Sequence, residues 1–301
     1  MESTRTLVAD IRRNSLDDGP GVRTSVFFKG CVLSCVWCHN PETIRSQAEV
    51  QHASAECLGC RGCERACPRG AISFPSGGRR HDVARCATCG ACAEACPSGA
   101  LRVVGTSLGV EELCDKLLRD EPFFRNTGGG VTLTGGEPTL HIAYVTQLAE
   151  RLHSRGVHVL LETCGLFDGA SFDAMLLRWV DMIYFDIKLA DAEEHRRYTG
   201  RDNAVIVDNL TRLARIAPER LLARVPLVPG ITDTERNLAG IGRLLRGAGL
   251  QRVALLPYNP LWLAKSRSVG REPVYRHERF MSDEELQRCR GAMTRAGVAV
   301  L

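Results

Sequence analysis

An α/β fold with a parallel sheet, interrupted early by a cysteine-rich module, is predicted for this chain of 301 residues. Three observations predict it. Short apolar runs alternate with amphipathic stretches about every 25 to 40 residues, the pattern of βα units. Eleven of the 14 cysteines crowd between residues 31 and 96. Composition is that of a globular protein, 44% hydrophobic and 25% charged, enough for one large domain and a small module.

The elements follow in order. Strands are expected at residues 24–28 (TSVFF), 130–135 (GVTLTG), 157–163 (VHVLLET), 181–187 (DMIYFDI), 221–228 (LLARVPLV) and 252–258 (RVALLPY), each short, apolar and rich in β-branched or aromatic residues. Helices are expected at 109–120, 141–155, 172–179, 208–217 and 234–248. Val145, Leu148 and Leu152 fall on one stripe of the second. A last helix opens with the capping box Ser282 to Glu285. Six βα units fit an open doubly wound sheet or a partial barrel, and periodicity does not choose between them. In both, ligands gather at the carboxyl ends of the strands.

Charge excludes more than it suggests. The formal net charge is +4 from 39 basic and 35 acidic residues, with no run of Lys or Arg to serve as a nucleic-acid arm. The N-terminal MESTRTLVADIRRNS has no apolar h-region, and no stretch approaches the length of a membrane span. A cytoplasmic protein without nucleic-acid or membrane partners is expected, so the cysteines read as metal ligands rather than disulfides. Cys114, Cys164 and Cys289 stand alone and read as small buried hydrophobes.

The other eleven cysteines form two patterns. One is an internal repeat, CLGCRGCERACP from Cys57 and CATCGACAEACP from Cys86, each spelling C-x2-C-x2-C-x3-C-P and lying 29 residues apart. This is the spacing of two-cluster bacterial ferredoxins, where the fourth cysteine of each run serves the other cluster. Cys57, Cys60, Cys63 and Cys96 would hold one [4Fe-4S] cluster, and Cys86, Cys89, Cys92 and Cys67 the second. Zinc prefers two separated pairs, which fits the repeat less well. Gly59, Gly62, Gly90 and Ala91 let backbone N–H groups approach the sulfurs, and PSGGRRHD at 75–82 is read as the turn between the halves. The module is assigned to residues 51–104, leaving 1–50 and 105–301 as the two parts of the main domain.

The second pattern is the stretch 30–42, GCVLSCVWCHNPE, with Cys31, Cys35 and Cys38. Three thiolates on a four-iron cube keep one iron open for a small molecule, as catalytic zinc sites keep an open position. C-x3-C-x2-C with Trp37 before the last cysteine resembles the radical S-adenosylmethionine (SAM) superfamily. That resemblance implies that the three cysteines are catalytic, that SAM binds the open iron through its amino and carboxylate groups, and that Trp37 lies near the adenine.

Three further stretches narrow the resemblance. SLDDGPGVRTSVFFKGC (15–31) resembles the Asp-Gly-Pro-Gly-x-Arg motif of the glycyl-radical-enzyme activating enzymes, the group that includes pyruvate formate-lyase activase. GGGVTLTGGEPTL (128–140) resembles their Gly-Gly-Glu-Pro motif, and DMIYFDIK (181–188) their Asp-x-Lys strand. The matches keep the family's order over about residues 15 to 260.

Membership would carry much with it. The resemblance implies a partial (β/α)6 radical SAM barrel with a ferredoxin-like insertion, three [4Fe-4S] clusters, and SAM cleaved reductively to a 5′-deoxyadenosyl radical. The radical would take hydrogen from a glycine of a partner glycyl radical enzyme, with flavodoxin or ferredoxin as electron donor. Gly135 and Gly136 would let the backbone approach the SAM amino group, with Glu137 as acidic neighbour. Glu162, Thr163 and Asp186 resemble elements that bind a monovalent cation beside the SAM carboxylate in pyruvate formate-lyase activase, where Asp replaces Glu162. Lys188 completes the Asp-x-Lys strand, and Arg224 matches an arginine that contacts SAM or the partner's peptide. Asp18 and Gly19 would meet the partner's loop. Asn259 stands where pyruvate formate-lyase activase has His, which points to a different partner. His39, beside Cys38, is the one histidine near the site. A radical SAM enzyme acting on a small molecule or nucleotide is the alternative, and it would not be expected to carry both the DDGPGVR turn and the insertion. A pure electron carrier would have no use for a SAM pocket.

Overall fold

The computed structural model describes residues 5–76 and 78–301. Gly77, part of the expected turn, and residues 1–4 of the N-terminal stretch lie outside the described residues. The strands, in chain order, are β1 (Arg5–Ser15), β2 (Arg23–Phe28), β3 (Glu49–His52), β4 (Ile72–Ser73), β5 (Arg80–His81), β6 (Leu101–Val104), β7 (Thr106–Gly109), β8 (Gly130–Gly135), β9 (His158–Thr163), β10 (Met182–Asp186), β11 (Leu221–Pro226), β12 (Arg252–Leu256) and β13 (Ala299–Val300).

Nine of them form one sheet in the order β13-β12-β11-β10-β9-β8-β2-β1-β7. All pairs from β2 to β13 are parallel. The six strands expected from sequence are the consecutive run β2, β8, β9, β10, β11 and β12. Additions come at the two ends: β13 beside β12, and the antiparallel β1 and β7 beside β2. Half of β1 carries Asp10, Arg12 and Arg13 toward solvent, so it lacks the apolar run by which the inner strands are recognised. Every residue of β2 is buried, as a strand covered on both faces requires.

Helices cover the sheet through apolar stripes. Ile142–His153 buries Tyr144, Val145, Leu148, Ala149 and Leu152, each aliphatic contributing roughly 1.5–3 kcal/mol relative to exposure. Glu235–Gly247 starts at Thr234, whose Oγ1 accepts from the Asn237 N–H at 3.2 Å. The expected capping box is formed: the Glu285 N–H donates to Ser282 Oγ at 3.3 Å and the Ser282 N–H to Glu285 Oε2 at 2.8 Å. The stretch 172–179 is a wide turn, Phe172–Leu176, running into a tight one, Leu177–Trp179, with Phe172 stacked on Phe167 at 4.5 Å. Helix Ala192–Thr199 was not expected, since its sequence AEEHRRYT offers almost no apolar stripe; Asp191 initiates it by accepting from the Glu193 and Glu194 N–H groups.

The cysteine repeat has its own small frame. β3 pairs with β6 as an antiparallel stem, β4 pairs with β5, and helices Gly62–Ala66 and Ala91–Glu94 lie between them. Left-handed backbone occurs at Gly59 and Thr88, at Arg61 and Gly90, and at Gly70 and Gly99. Each pair has the 29-residue offset of the cysteine runs, so the repeat is one of backbone as well as sequence.

Candidate active site

The rim at the carboxyl ends of the parallel strands collects most of the expected residues. Cys31 follows β2, Gly135 ends β8, Thr163 ends β9, Asp186 ends β10, and Arg224 lies beside Asp186 in register on β11. Asn259 lies just beyond β12, where its Oδ1 accepts from the Leu261 N–H at 3.2 Å and shapes the turn.

Backbone bonds fix the cysteine loop. The Gly30 and Cys31 N–H groups donate to Thr43 O (2.7 Å) and Ile44 O (3.1 Å), and those of Ser34 and Val36 to Thr199 O (2.8 Å) and Tyr198 O (3.0 Å). Trp37 is 3% exposed and packs with Leu189, Val228, Ile231, Tyr258 and Trp262. Its indole therefore anchors the loop from below. Burial and the neighbouring Cys35 push the Cys31 thiol up to about 12, and burial also raises Cys35 and Cys38. Three half-buried soft donors in one loop suit an iron–sulfur cluster, whose cations would displace their protons. Among the described residues no three His, Cys, Asp or Glu side chains converge on a single ion. His39 stays neutral, its pKa lowered to about 4 by burial, then by Lys265 and Lys188.

The Gly-Gly-Glu-Pro turn is packed more tightly than a cofactor contact alone would need. A Cβ on Gly136 would stand 1.9 Å from Gly30 O, and one on Gly135 (φ +112°) would stand 2.4 Å from Phe28 N. The backbone of β8 is thereby pressed against the start of the cysteine loop, where the Glu137 N–H donates to Gly30 O at 2.8 Å. Glu137 itself is 0% exposed. Its Oε1 accepts from the Thr139 N–H (3.2 Å), Thr139 Oγ1 (2.7 Å) and Thr163 Oγ1 (2.9 Å), and its Oε2 from the Cys164 N–H (2.8 Å). The carboxylate thus ties the end of β8 to the end of β9.

The rim carries a charge network. Arg224 Nη1 donates to Glu162 Oε1 at 2.6 Å, and its Nε and Nη2 donate to Asp186 Oδ1 at 3.0 and 2.9 Å. Lys188 Nζ donates to Asp186 Oδ2 at 3.2 Å, and Thr134 Oγ1 to Glu162 Oε2 at 2.7 Å. Burial works to raise the Asp186 pKa, but Arg224 and Lys188 outweigh it and the net direction is down. Lys188 is raised because Asp186, Cys35 and Cys164 overcome its own desolvation. The two carboxylates expected to hold a monovalent cation already face two fixed cations, so the donor set does not fit an added ion. Arg224 also stacks over the Tyr184 ring at 4.7 Å.

The Asp-Gly-Pro-Gly turn is placed lower in the same wall. Ser25 Oγ donates to Asp18 Oδ2 at 2.5 Å and Thr132 Oγ1 to Asp18 O at 2.7 Å. A Cβ on Gly19 (φ +131°) would meet Leu160 Cδ1 at 2.6 Å. Leu160 pairs with Met182, four residues before Asp186, so Asp18 sits about 13 Å along the strands from the rim. Arg23 holds this turn. Fully buried, it donates to Thr132 Oγ1 (2.7 Å), Val131 O (2.7 Å), Pro20 O (3.1 Å) and His158 O (3.3 Å), and desolvation lowers its pKa to about 10. Sequence reasoning assigned no role to Arg23, Thr134 or Tyr184. The inward alternation of β8 and β10 was the signal that could have found the last two.

In the repeat module, one cavity is lined by Cys57, Cys60, Cys63 and Cys96 together. The last cysteine of each run meets a backbone or hydroxyl partner: the Ala71 N–H donates to Cys67 Sγ at 3.2 Å, and Ser98 Oγ lies 3.6 Å from Cys96 Sγ. Desolvation would raise both thiols, but the surrounding donors outweigh it and lower them. Such donors stabilise sulfur that carries charge.

Residues 17–206 match the family model of a 4Fe-4S single cluster domain. The chain is 35% identical over 276 residues to an indoleacetate decarboxylase activating enzyme from Tractidigestivibacter scatoligenes, covering 88% of this chain and 87% of that one. It is 34% identical to a choline trimethylamine-lyase activating enzyme from Oleidesulfovibrio alaskensis, covering 96% and 94%. A radical SAM methyltransferase from Sphaerobacter thermophilus shares the fold, with TM-score 0.52, 15% identity and coverage of 98% of this chain and 76% of that one.

Proposed function

The chain belongs to the glycyl-radical-enzyme activating enzymes of the radical SAM superfamily, and on that premise we propose how its residues divide the work. Its reaction installs a radical on a glycine of a partner glycyl radical enzyme. When bound, cluster and SAM supply the chemistry: one electron breaks the S–C5′ bond, giving methionine and a 5′-deoxyadenosyl radical that takes hydrogen from the glycine α-carbon.

The protein positions these groups and excludes water. Cys31, Cys35 and Cys38 would hold the cluster, which three thiolates leave able to take SAM. The loop is made rigid by its bonds to Thr43, Ile44, Tyr198 and Thr199 and by buried Trp37. Gly135 and Gly136 bring the β8 backbone to the cofactor, and Glu137 keeps that backbone fixed through Thr163 and Cys164. Arg224 and Lys188 offer cationic donors for the SAM carboxylate, released in part from Glu162 and Asp186 when it arrives. Asn259 shapes the turn bordering the site. Asp18 and Gly19 line the lower wall, where the partner's glycine loop would extend toward the rim. The open parallel sheet is read as the partial (β/α)6 barrel, with residues 51–104 inserted as a two-cluster ferredoxin-like domain. The cavity joining Cys57, Cys60 and Cys63 to Cys96 supports the crossed ligand assignment, with Cys86, Cys89, Cys92 and Cys67 holding the other cluster. Flavodoxin or ferredoxin is the proposed electron donor.

The observation that carries this reading is the meeting of the three-cysteine loop with Gly135, Asp186, Lys188 and Arg224 at one end of one sheet. Anaerobic reconstitution tests it. The protein should cleave SAM when reduced, and a glycyl radical should appear by electron paramagnetic resonance on mixing with its partner. Cys35→Ala should abolish cleavage and keep about two thirds of the iron. Normal cleavage in that variant would overturn the assignment.

A further inference from the structure

The 29-residue repeat of the inserted module extends beyond its cysteines. His52 and His81 each stand five residues before the first cysteine of a run, and they are themselves 29 apart. The strands that carry them keep the same offset. His52 lies opposite Leu101 where β3 pairs with β6, and His81 lies opposite Ile72 where β5 pairs with β4. Leu101 and Ile72, again 29 apart, are buried with Cys63 and Cys92 in the small core of the module. Directly opposed residues of an antiparallel pair share a face, so both imidazoles stand on the cysteine side of their strand pairs.

Both rings leave the same atom without a partner. The Nε2 atoms of His52 and His81 are buried and make no hydrogen bond among the described residues. His52 lines the cavity shared by Cys57, Cys60, Cys63 and Cys96. Arg79, two residues before His81, likewise has its Nε and Nη2 buried without partners. Burial, and after it the charge of Arg79, lowers the pKa of both histidines, and the same charge opposes the burial that raises Cys92. The rings are therefore neutral near pH 7, and each keeps one N–H. Buried polar groups in folded proteins are nearly always paired, so two orphans at equivalent positions call for two equivalent acceptors. The sulfurs of an iron–sulfur cluster are acceptors that the cysteine sets would bring to both positions.

We propose that His52 and His81 each donate a hydrogen bond from Nε2 to a sulfur of one module cluster: His52 to the cluster of Cys57, Cys60, Cys63 and Cys96, and His81 to that of Cys86, Cys89, Cys92 and Cys67. This rests on the two-cluster reading of the repeat. A donor at sulfur stabilises the more negative, reduced cluster, so each imidazole raises the potential of its own cluster. Because the donors are equivalent, the two potentials rise together, and one electron is shared between the clusters with little difference in energy. Arg79, whose charge acts on both halves, raises them in common.

The full chain, reconstituted anaerobically, is reduced in steps at controlled potential and followed by electron paramagnetic resonance. His52→Phe and His81→Phe keep an aromatic ring and remove the donor. Each should shift the reduction equilibrium of one module cluster about tenfold toward the oxidised form, about 59 mV for a one-electron couple, and leave the Cys31/Cys35/Cys38 cluster where it was. His52→Gln and His81→Gln retain a side-chain N–H and should recover most of the shift. In reduced parent protein grown with isotope-labelled histidine, pulsed resonance should show a histidine nitrogen coupled to each module cluster, and each Phe variant should lose one of the two couplings. Unshifted potentials in both Phe variants would overturn the proposal, as would equal shifts in the Phe and Gln variants, which would mean packing rather than donation. Where a Phe variant loses its cluster, absence of the nitrogen coupling in the parent would overturn the proposal by itself, and its presence would sustain it. A parent protein that holds about four iron atoms per chain instead of about twelve would sink the two-cluster reading instead.

Discussion

Glu137→Gln separates two roles for the acid of the Gly-Gly-Glu-Pro turn: contact with SAM, or a brace between β8 and β9. The structure gives the carboxylate four acceptances, three at Oε1 and one at Oε2. A glutamine whose carbonyl takes the Oε1 position keeps the contacts to Thr139 and Thr163. Its NH2 then faces the Cys164 N–H, donor against donor. One bond to a charged acceptor is lost, about 1.5–3 kcal/mol, and a buried N–H is left unpaired; with overlap between the two the cost is roughly 2–4 kcal/mol. At about 2 °C per kcal/mol for a chain of this size, the melting temperature should fall by about 4–8 °C. Calorimetry under anaerobic conditions gives the shift, and amide exchange at Cys164 reports the broken contact directly. A melting temperature within about 1 °C of the parent, together with lost SAM binding, would refute the brace and return Glu137 to the cofactor.

Arg224→Met leaves Glu162 without its cation and Asp186 with Lys188 alone, and should destabilise by about 3–5 kcal/mol and weaken SAM binding, whereas Arg224→Lys should recover part of both in the same denaturation and binding titrations. Gly136→Ala drives a Cβ to within 1.9 Å of Gly30 O, so the β8 turn must move away from the cysteine loop; a loss of about 3 kcal/mol with reduced SAM cleavage is expected, and wild-type cleavage would contradict it. Arg23→Lys cannot reach the four acceptors now bound by the fork, and should cost about 2–4 kcal/mol in chemical denaturation. His195 is buried, with Nδ1 2.6 Å from Arg201 O, and burial lowers its pKa. The unfolded chain, with the ordinary value near 6.5, therefore takes up the proton first, so stability falls as pH drops below about 6.5, by at most about 1.4 kcal/mol per unit for this group. His195→Gln should flatten that slope in denaturation curves taken from pH 7 to 5.

The sequence by itself determined where the cysteines cluster and the strand run. Cysteine spacing is a local property of the chain, and the six apolar runs read as strands are the six consecutive inner strands of the sheet, because each carries a row of buried apolar side chains packed in the main core. The tertiary structure decided what the charged residues do. Glu137 reads as a cofactor neighbour in a motif, yet its oxygens are engaged by Thr163 and Cys164, which arrive from another strand. Glu162 and Asp186 read as a cation site, yet Arg224, on a third strand, lies between them. Arg23 gains meaning only from what it touches. A carboxylate's role depends on its nearest opposite charge and on how far water is excluded, both set by residues distant in the chain, whereas thiolate spacing and apolar periodicity are already present before the chain folds.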